Sequence, residues 1–418
     1  MNHRENIARA VRHEDGPAPM DFGAGPTSGI HVSVVAALRE RVGLERTPVK
    51  VIEPYQMLGE VDEALKDALG IGTDGIAGRT NMFGFENSGW KEWRTPWNQE
   101  VLVPDGFKVK TETDGTVLIY PQGDTSAPAS AKMPSGGWFF DSIIRQEEID
   151  PDEATAEDNL EEFGDLKEED LFHIAAVADE AHARGRYVLA NLGGTALGDI
   201  ALVPAPFAKH PKGIRDVAEW YMLTASRPDL VREIFERQTD IALRNLDRIW
   251  KTIGGKVQAL YLCGTDFGTQ SGTFCSPSVF DEVWAPYYKK VNGWIHSNTT
   301  WKTFKHSCGA VEPLIGRLID SGFDILNPVQ CSATGMDPAR LKRNYGDNIV
   351  FWGGGSNTQA TLPFGTPEEV RKESLERCRI FAPGGGFVFN AIHNVQAGTP
   401  VENFMAMVAA VKDYNGTH

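Results

Sequence analysis

The chain has 418 residues, a formal net charge of -16 and 41% hydrophobic residues, enough for two average domains or one large α/β barrel with insertions around a sizeable core. Its acidity argues against nucleic acid and anionic membrane as partners, because both need a cationic surface. No stretch approaches the roughly 18 uninterrupted apolar residues of a membrane span.

Residues 17–22 form a short apolar run ending in Gly23-Ala24-Gly25-Pro26, and a helical pattern over 32–42 follows, which reads as strand, loop, helix. A helix-like stretch at 62–69 leads to a second apolar run at 75–77. From about 81 to 149 the period changes. Trp90, Trp93 and Trp97 precede alternating segments at 100–103, 108–113 and 116–120, which predict antiparallel hairpins with Asp114-Gly115 at one turn. This β-rich subdomain, at approximately 80–150, is inserted in what otherwise reads as one domain spanning 1–418. Residues 150–170 are acidic and poor in large apolar side chains, which predicts a surface linker.

Beyond that stretch, helical and apolar segments alternate steadily. A helix at 167–184 precedes a strand at 187–192, long helices cover 213–252, and strands follow at 257–263, 301–306, 324–328, 349–353 and 386–392. Helices at 278–296, 311–320, 338–345 and 367–381 separate them, and a last amphipathic helix runs over 401–414. Counted from residue 17 there are eight strands with helices between them, the arithmetic of a (β/α)8 TIM barrel. An open doubly wound sheet is the alternative, but no G-x-G-x-x-G follows the first strand.

In such a barrel, chemistry belongs at the C-terminal strand ends, and polar residues collect there. Lys305-His306-Ser307-Cys308-Gly309 places an imidazole and a thiol two residues apart at the end of the fifth strand, where they point the same way and can share one Zn²⁺. The alternative is a hydrogen-bonded histidine beside a buried thiol. His393, after the eighth strand, is the best third ligand. Cys331, Cys263 and Glu53 are alternative ligands, although the two thiols also suit the core and the carboxylate suits a loop cap. Cys275 and Cys378 read as structural. Asp266, in Gly264-Thr265-Asp266-Phe267-Gly268-Thr269-Gln270, and Asn327 are placed as catalytic or orienting residues, with an Asx-turn as the rival reading for Asp266. Asp21, Gln330 and Asn390 stand at other strand ends as substrate-binding candidates. Tyr55, Trp138 and Phe140 are further candidates, as an apolar lining or as plain core. Gly353-Gly354-Gly355 lacks the Lys-Ser/Thr of a phosphate loop. Five scattered cysteines are no disulfide framework, and the first residues carry no apolar leader, so a cytoplasmic location is expected.

Taken together, several motifs resemble the uroporphyrinogen decarboxylase superfamily, in its branch of corrinoid-dependent methyltransferases. They are Arg4-Glu5-Asn6, Pro19-Met20-Asp21-Phe22-Gly23, Gly137-Trp138-Phe139-Phe140-Asp141, the Thr265 to Gln270 loop, Lys305-His306-Ser307-Cys308-Gly309, Leu326-Asn327-Pro328, Phe351-Trp352-Gly353-Gly354 and Gly385-Gly386-Phe387-Val388-Phe389-Asn390. The resemblance implies the same barrel. It also implies a zinc ion bound through H-x-C, and a corrinoid (cobalamin) carried by a partner protein as methyl carrier. Decarboxylases of the family carry an arginine-containing segment after the first strand, whereas residues 21–29 here hold no arginine. The methyltransferases place a cysteine after the eighth strand, near where this chain has His393, and that departure points to a relative that cleaves methyl ethers. The expected activity is therefore methyl transfer from a small O-methyl donor, methoxylated aromatics included, to the cobalt of a corrinoid protein. A metal-free decarboxylase with Asp266 or His393 as general acid is the alternative. A homodimer is compatible with the sequence.

Overall fold

The computed structural model describes residues 2–150, 153–192 and 196–416. Seven parallel strands, each hydrogen-bonded to the next, lie in chain order: Thr73–Ala77, Tyr187–Asn191, Ala259–Cys263, Lys302–His306, Ile325–Asn327, Val350–Trp352 and Phe387–Val388. The two edges meet on residues 19–21. Met20 forms a parallel bridge with Phe389, while its carbonyl accepts from the Gly72 amide at 3.0 Å and the Asp21 amide donates to the Phe389 carbonyl at 2.9 Å. Those bonds make residues 19–21 the first stave of a closed eight-stave barrel. It is short because Pro17 and Pro19 have no N–H for the ladder. The (β/α)8 expectation and all eight expected strands are thus met.

The lumen is packed in layers. Tyr187, Leu189, Ala259, Phe304, Ile325, Val350, Trp352 and Val388 fill it, and Ile7 and Val11 of the opening helix His3–Val11 plug the end at which the strands begin. Each fully buried aliphatic side chain there stabilises the plug by roughly 1.5–3 kcal/mol relative to exposure. The surrounding helices follow the apolar spacing of the sequence, as in Pro367–Phe381, which opens with a Thr366/Glu369 capping box and proline in its first turn.

Two elements differ from expectation. The helix predicted over 278–296 is two, Pro277–Val283 and Ala285–Asn298, because Pro286 offers no N–H to continue the first. The helices expected over 213–252 are Val217–Ser226 and Pro228–Ile253, the latter opening on proline. The acidic stretch expected as a surface linker is largely at the surface, but it is also anchored inward. Residues 151 and 152 lie outside the described residues, but Ala154, Ala156 and Leu160 are buried, and Glu161 and Glu162 bind the buried guanidinium of Arg215. A partner 53 residues away drew these carboxylates in, and no local pattern announces it.

The β-rich insertion forms antiparallel hairpins. Val109–Thr111 pairs with Val117–Ile119 across a turn where Gly115 has φ +89°, as Asp114-Gly115 predicts. Lys91–Arg94 pairs with Glu100–Val103 in a sheet that also takes in Val49–Glu53, Leu58–Gly59 and Ile30–His31, to which the sequence reading assigns no strand. A parallel bridge from Ile30 to Val395 stitches this sheet to the chain leaving the eighth stave, so it stands beside the C-terminal ends of the barrel strands. Among the described residues no helix is long and apolar enough to cross a membrane.

Candidate functional site

Alternation along Lys302–His306 turns Phe304 and His306 into the lumen and Thr303 and Lys305 outward. His306 is in register with Asn327 on the next stave, and their side chains meet, Nδ1 to Oδ1 at 2.7 Å. The Asn327 amide nitrogen donates to the Trp352 carbonyl at 2.8 Å. That bond fixes which way the amide faces, so its oxygen accepts from Nδ1–H and the lone pair of His306 Nε2 is left pointing at the barrel mouth.

Cys308 lies two residues beyond the strand, and an elbow brings its sulfur back. Gly309 has φ +88°, and a Cβ there would stand 2.4 Å from the Gly268 backbone, so only glycine lets the two loops touch. The Ala310 amide donates to the Thr269 carbonyl at 2.8 Å, the Cys308 amide to Asp266 Oδ1 at 2.7 Å, the Phe267 amide to Ser307 Oγ at 2.9 Å and the Gly309 amide to Gln330 Oε1 at 2.8 Å. Cys308 Sγ ends 3.3 Å from His306 Nε2. The ring of His393 stands 5.3 Å from that of His306 at 76°. Ligand atoms of His306, Cys308 and His393 all lie within 4.8 Å of one another. Donors about 2.0–2.3 Å from one tetrahedral ion are roughly 3.3–3.7 Å apart, so the cluster needs only small side-chain rotations to close on a metal.

The protonation states suit a cation. Burial pulls both His306 and His393 down to about 4, leaving two neutral imidazoles at neutral pH. Burial, reinforced by the charge of Asp266, pushes the Cys308 thiol well up, so a nearby dication is what would make it a thiolate. Asp266, raised by burial and then drawn back by the Cys308 amide and Lys305, stands 3.8 Å from His306 Nε2. Lys305 has no carboxylate partner among the described residues. Its buried ammonium donates to the carbonyls of Thr265, at 2.7 Å, and His306, at 2.5 Å, and lies 5.2 Å from the Phe267 ring centre. It ties the Asp266 loop to the His306 stave.

The remaining candidates are placed as follows. Asp21 is in the lumen with its carboxylate engaged by Thr73 Oγ1 at 2.6 Å and Trp352 Nε1 at 2.8 Å. Asn390 donates to the Asp21 carbonyl, and its own Oδ1 has no partner among the described residues. Gln330 braces the Gly309 elbow and reaches Gln270 at 3.1 Å. Tyr55 takes the Phe140 amide on its carbonyl at 2.8 Å. Phe140 is buried among Phe83 and Phe107, as core, and Trp138 packs on Trp97 at 4.8 Å with its edge exposed. None of the three alternative ligands joins the cluster. Cys263 Sγ faces the Tyr288 hydroxyl at 3.6 Å, on the helix side of the sheet. Burial pushes Cys331 up to about 12, and its sulfur packs beside Gly354. Glu53 caps its own loop, accepting from the amides of Tyr55 at 2.9 Å and Gln56 at 2.8 Å.

Lys305 stood in the motif only as a neighbour, and two residues at the mouth were not singled out at all. Asp199 accepts from the Gly264 amide at 2.9 Å, and Tyr261 is the lumen-facing aromatic of the fourth stave. A polar residue inside a barrel strand is the signal that would have found Tyr261; Asp199, outside any strand, gave none.

A family model described as "Uroporphyrinogen decarboxylase (URO-D)" matches residues 200–414. Among curated relatives, uroporphyrinogen decarboxylase of Coxiella burnetii (strain RSA 493 / Nine Mile phase I) is 28% identical over 89 residues, covering 20% of this chain and 24% of that protein. The one from Psychromonas ingrahamii is 33% identical over 87 residues, with the same shares of each chain, 20% and 24%. The match thus spans about a quarter of the length of these relatives. A solved structure, a methyltransferase from Methanosarcina mazei, superposes over 99% of both chains with a TM-score of 0.55 at 13% identity, a likeness of fold.

Proposed function

Since the chain belongs to the uroporphyrinogen decarboxylase family, an enzyme family, we propose that it is a zinc-dependent methyltransferase that moves a methyl group between a small O-methyl substrate, a methoxylated aromatic included, and the cobalt of a corrinoid carried on a partner protein. The observation that carries this reading is the convergence of His306, Cys308 and His393 at the barrel mouth. Two neutral imidazoles and a thiol are the donor set of a borderline-soft ion with an open coordination position. Zinc held there would supply Lewis acidity toward the oxygen that bears the transferred methyl group. The chain's own residues do the positioning. Asn327 holds the His306 tautomer, Asp266 holds the Cys308 backbone, and Lys305 fixes the Thr265 carbonyl beside them. The likeness of fold to a methyltransferase agrees with this reading, as does a stretch after the first stave without an arginine for substrate carboxylates. The corrinoid protein and the cytoplasm belong to the same proposal, with residues 1–418 acting as one barrel domain that carries the insertion at 80–150.

A metal-free decarboxylase is the second reading, favoured by the description of the curated relatives and by Asp266, a buried carboxyl raised by burial and so able to deliver a proton. Zinc content decides between them. The methyltransferase reading expects about one zinc per chain, lost in Cys308→Ser together with methyl transfer to added cob(I)alamin followed by its visible spectrum. Metal-free wild-type protein, or a fully active Cys308→Ser variant, would end it.

A further inference from the structure

Tyr261 lies on the Ala259–Cys263 stave in register with Phe304, and the two rings stand 5.9 Å apart inside the lumen. The ladder slips by one residue between Tyr261 and Cys263, a bulge that turns Cys263 outward to Tyr288 and leaves Tyr261 as the last side chain of this stave to face the lumen. Its hydroxyl rises to the level of Gly264. A Cβ on Gly264 would stand 2.5 Å from both the Tyr261 hydroxyl and Asp199 Oδ2, so the bare glycine lets a phenol and a carboxylate converge over its backbone. Asp199 is held there by the amides of Gly264 and Ala201, at 2.9 and 3.0 Å. The Tyr261 hydroxyl makes no hydrogen bond to any described residue, although its lumen neighbours His306, Asn327 and Asp21 are all paired.

Burial, then the carboxylate charges of Asp199 and Asp266, keep the phenol protonated, so it is a donor that lacks an acceptor among the described residues. Asp199 Oδ2 is an acceptor with capacity to spare, since among the described residues it takes only the Gly264 amide. A hydroxyl, at once donor and acceptor, satisfies both. Polar groups in a lumen do not stay unpaired without a role, because water or a ligand must complete them.

We propose that Tyr261 and Asp199 form a subsite for a free hydroxyl of the methyl donor, which makes the substrate class hydroxylated methoxyarenes rather than simple methyl ethers or methylamines. Tyr261 donates to the substrate hydroxyl, and the hydroxyl donates to Asp199. This rests on the methyltransferase reading and adds to it where the donor is gripped.

The test compares 2-methoxyphenol with methoxybenzene, which lacks the second oxygen, by calorimetric titration of the zinc-loaded protein. Wild type binds 2-methoxyphenol about tenfold more tightly, the size of one well-made hydrogen bond. In Tyr261→Phe the preference disappears while the Kd for methoxybenzene holds. The variant should melt at the wild-type temperature, because the oxygen it removes has no partner among the described residues. Asp199→Asn, which keeps an acceptor for the Gly264 amide, gives a second reading of the same preference. Equal affinities in wild type, or undiminished preference in both variants, would overturn the subsite. Zinc content and methyl transfer of the wild type are measured beside these. A zinc-free wild type inactive with every methyl ether refutes the methyltransferase reading, and the subsite with it, whereas a zinc-loaded, active wild type without the preference refutes the subsite alone.

Discussion

Replacing Asn327 by leucine removes two hydrogen bonds and little volume, so its consequences separate stability from metal binding. The amide is fully buried, accepting from His306 Nδ1 at 2.7 Å and donating to the Trp352 carbonyl at 2.8 Å. Leucine leaves both of those groups buried without a partner. Each unsatisfied group costs about 1–3 kcal/mol, so unfolding free energy should fall by about 2–6 kcal/mol. The imidazole, freed of its acceptor, loses its fixed tautomer, and loss of such a partner lowers metal affinity by roughly 10–100-fold, or about 1.4–2.7 kcal/mol. Asn327→Asp gives the opposite sign at the metal. One carboxylate oxygen still accepts from Nδ1 and makes the ring a stronger donor, while the other faces the Trp352 carbonyl with no proton to offer. Stability should therefore drop in both variants, and zinc affinity only in the leucine one. Competition against a chromophoric chelator reads the affinity, and urea unfolding the stability. Wild-type affinity in folded Asn327→Leu, or equal loss in the two variants, would refute the tautomer argument.

Two further expectations concern carboxylates. Asp21→Ala strands the Trp352 Nε1 donor and the Thr73 hydroxyl and should destabilise by about 2–6 kcal/mol, whereas Asp21→Asn, which can still accept from Trp352, should cost far less. Urea midpoints measure this, and unchanged zinc content in Asp21→Asn would keep the role structural. Glu53 is raised by burial to about 7. A carboxyl raised on folding stabilises fully below its unfolded pKa near 4.3, and that contribution is lost as pH climbs through 7. The stability of Glu53→Gln relative to wild type should therefore increase between pH 5 and pH 8, and a difference that stays constant across that interval would contradict it.

The barrel was legible because each stave is buried on both faces, and such strands read as apolar runs punctuated by helical periods. His306 was legible as the last residue of such a run. Cys308 was legible for a partly different reason than spacing implied. It lies past the strand, and the Gly309 elbow and its bonds to the Asp266 loop carry the sulfur to His306. Asp199 was invisible because it meets Gly264 across 65 residues of sequence. The inward anchoring of the acidic stretch before residue 170 was invisible for the same reason, since Arg215 supplies the countercharge from another element.

The fourth stave shows how little separates the visible from the hidden. Cys263 was a rival ligand because its stave neighbours that of His306, and strict alternation from Ala259 would put it on one face with Tyr261. One extra residue between them reverses the face of everything beyond it. The sulfur is then spent against Tyr288, the candidate metal cluster is left to His306, Cys308 and His393, and the Tyr261 phenol stands as the final lumen-facing group of the stave, without a partner among the described residues and with Asp199 nearby. A bulge is a property of the ladder between two strands, so no reading of one strand's residues contains it. Deleting Leu262 would make Cys263 the immediate neighbour of Tyr261, so alternation alone would then hold its sulfur on the outward face and the phenol in the lumen, as the bulge does now.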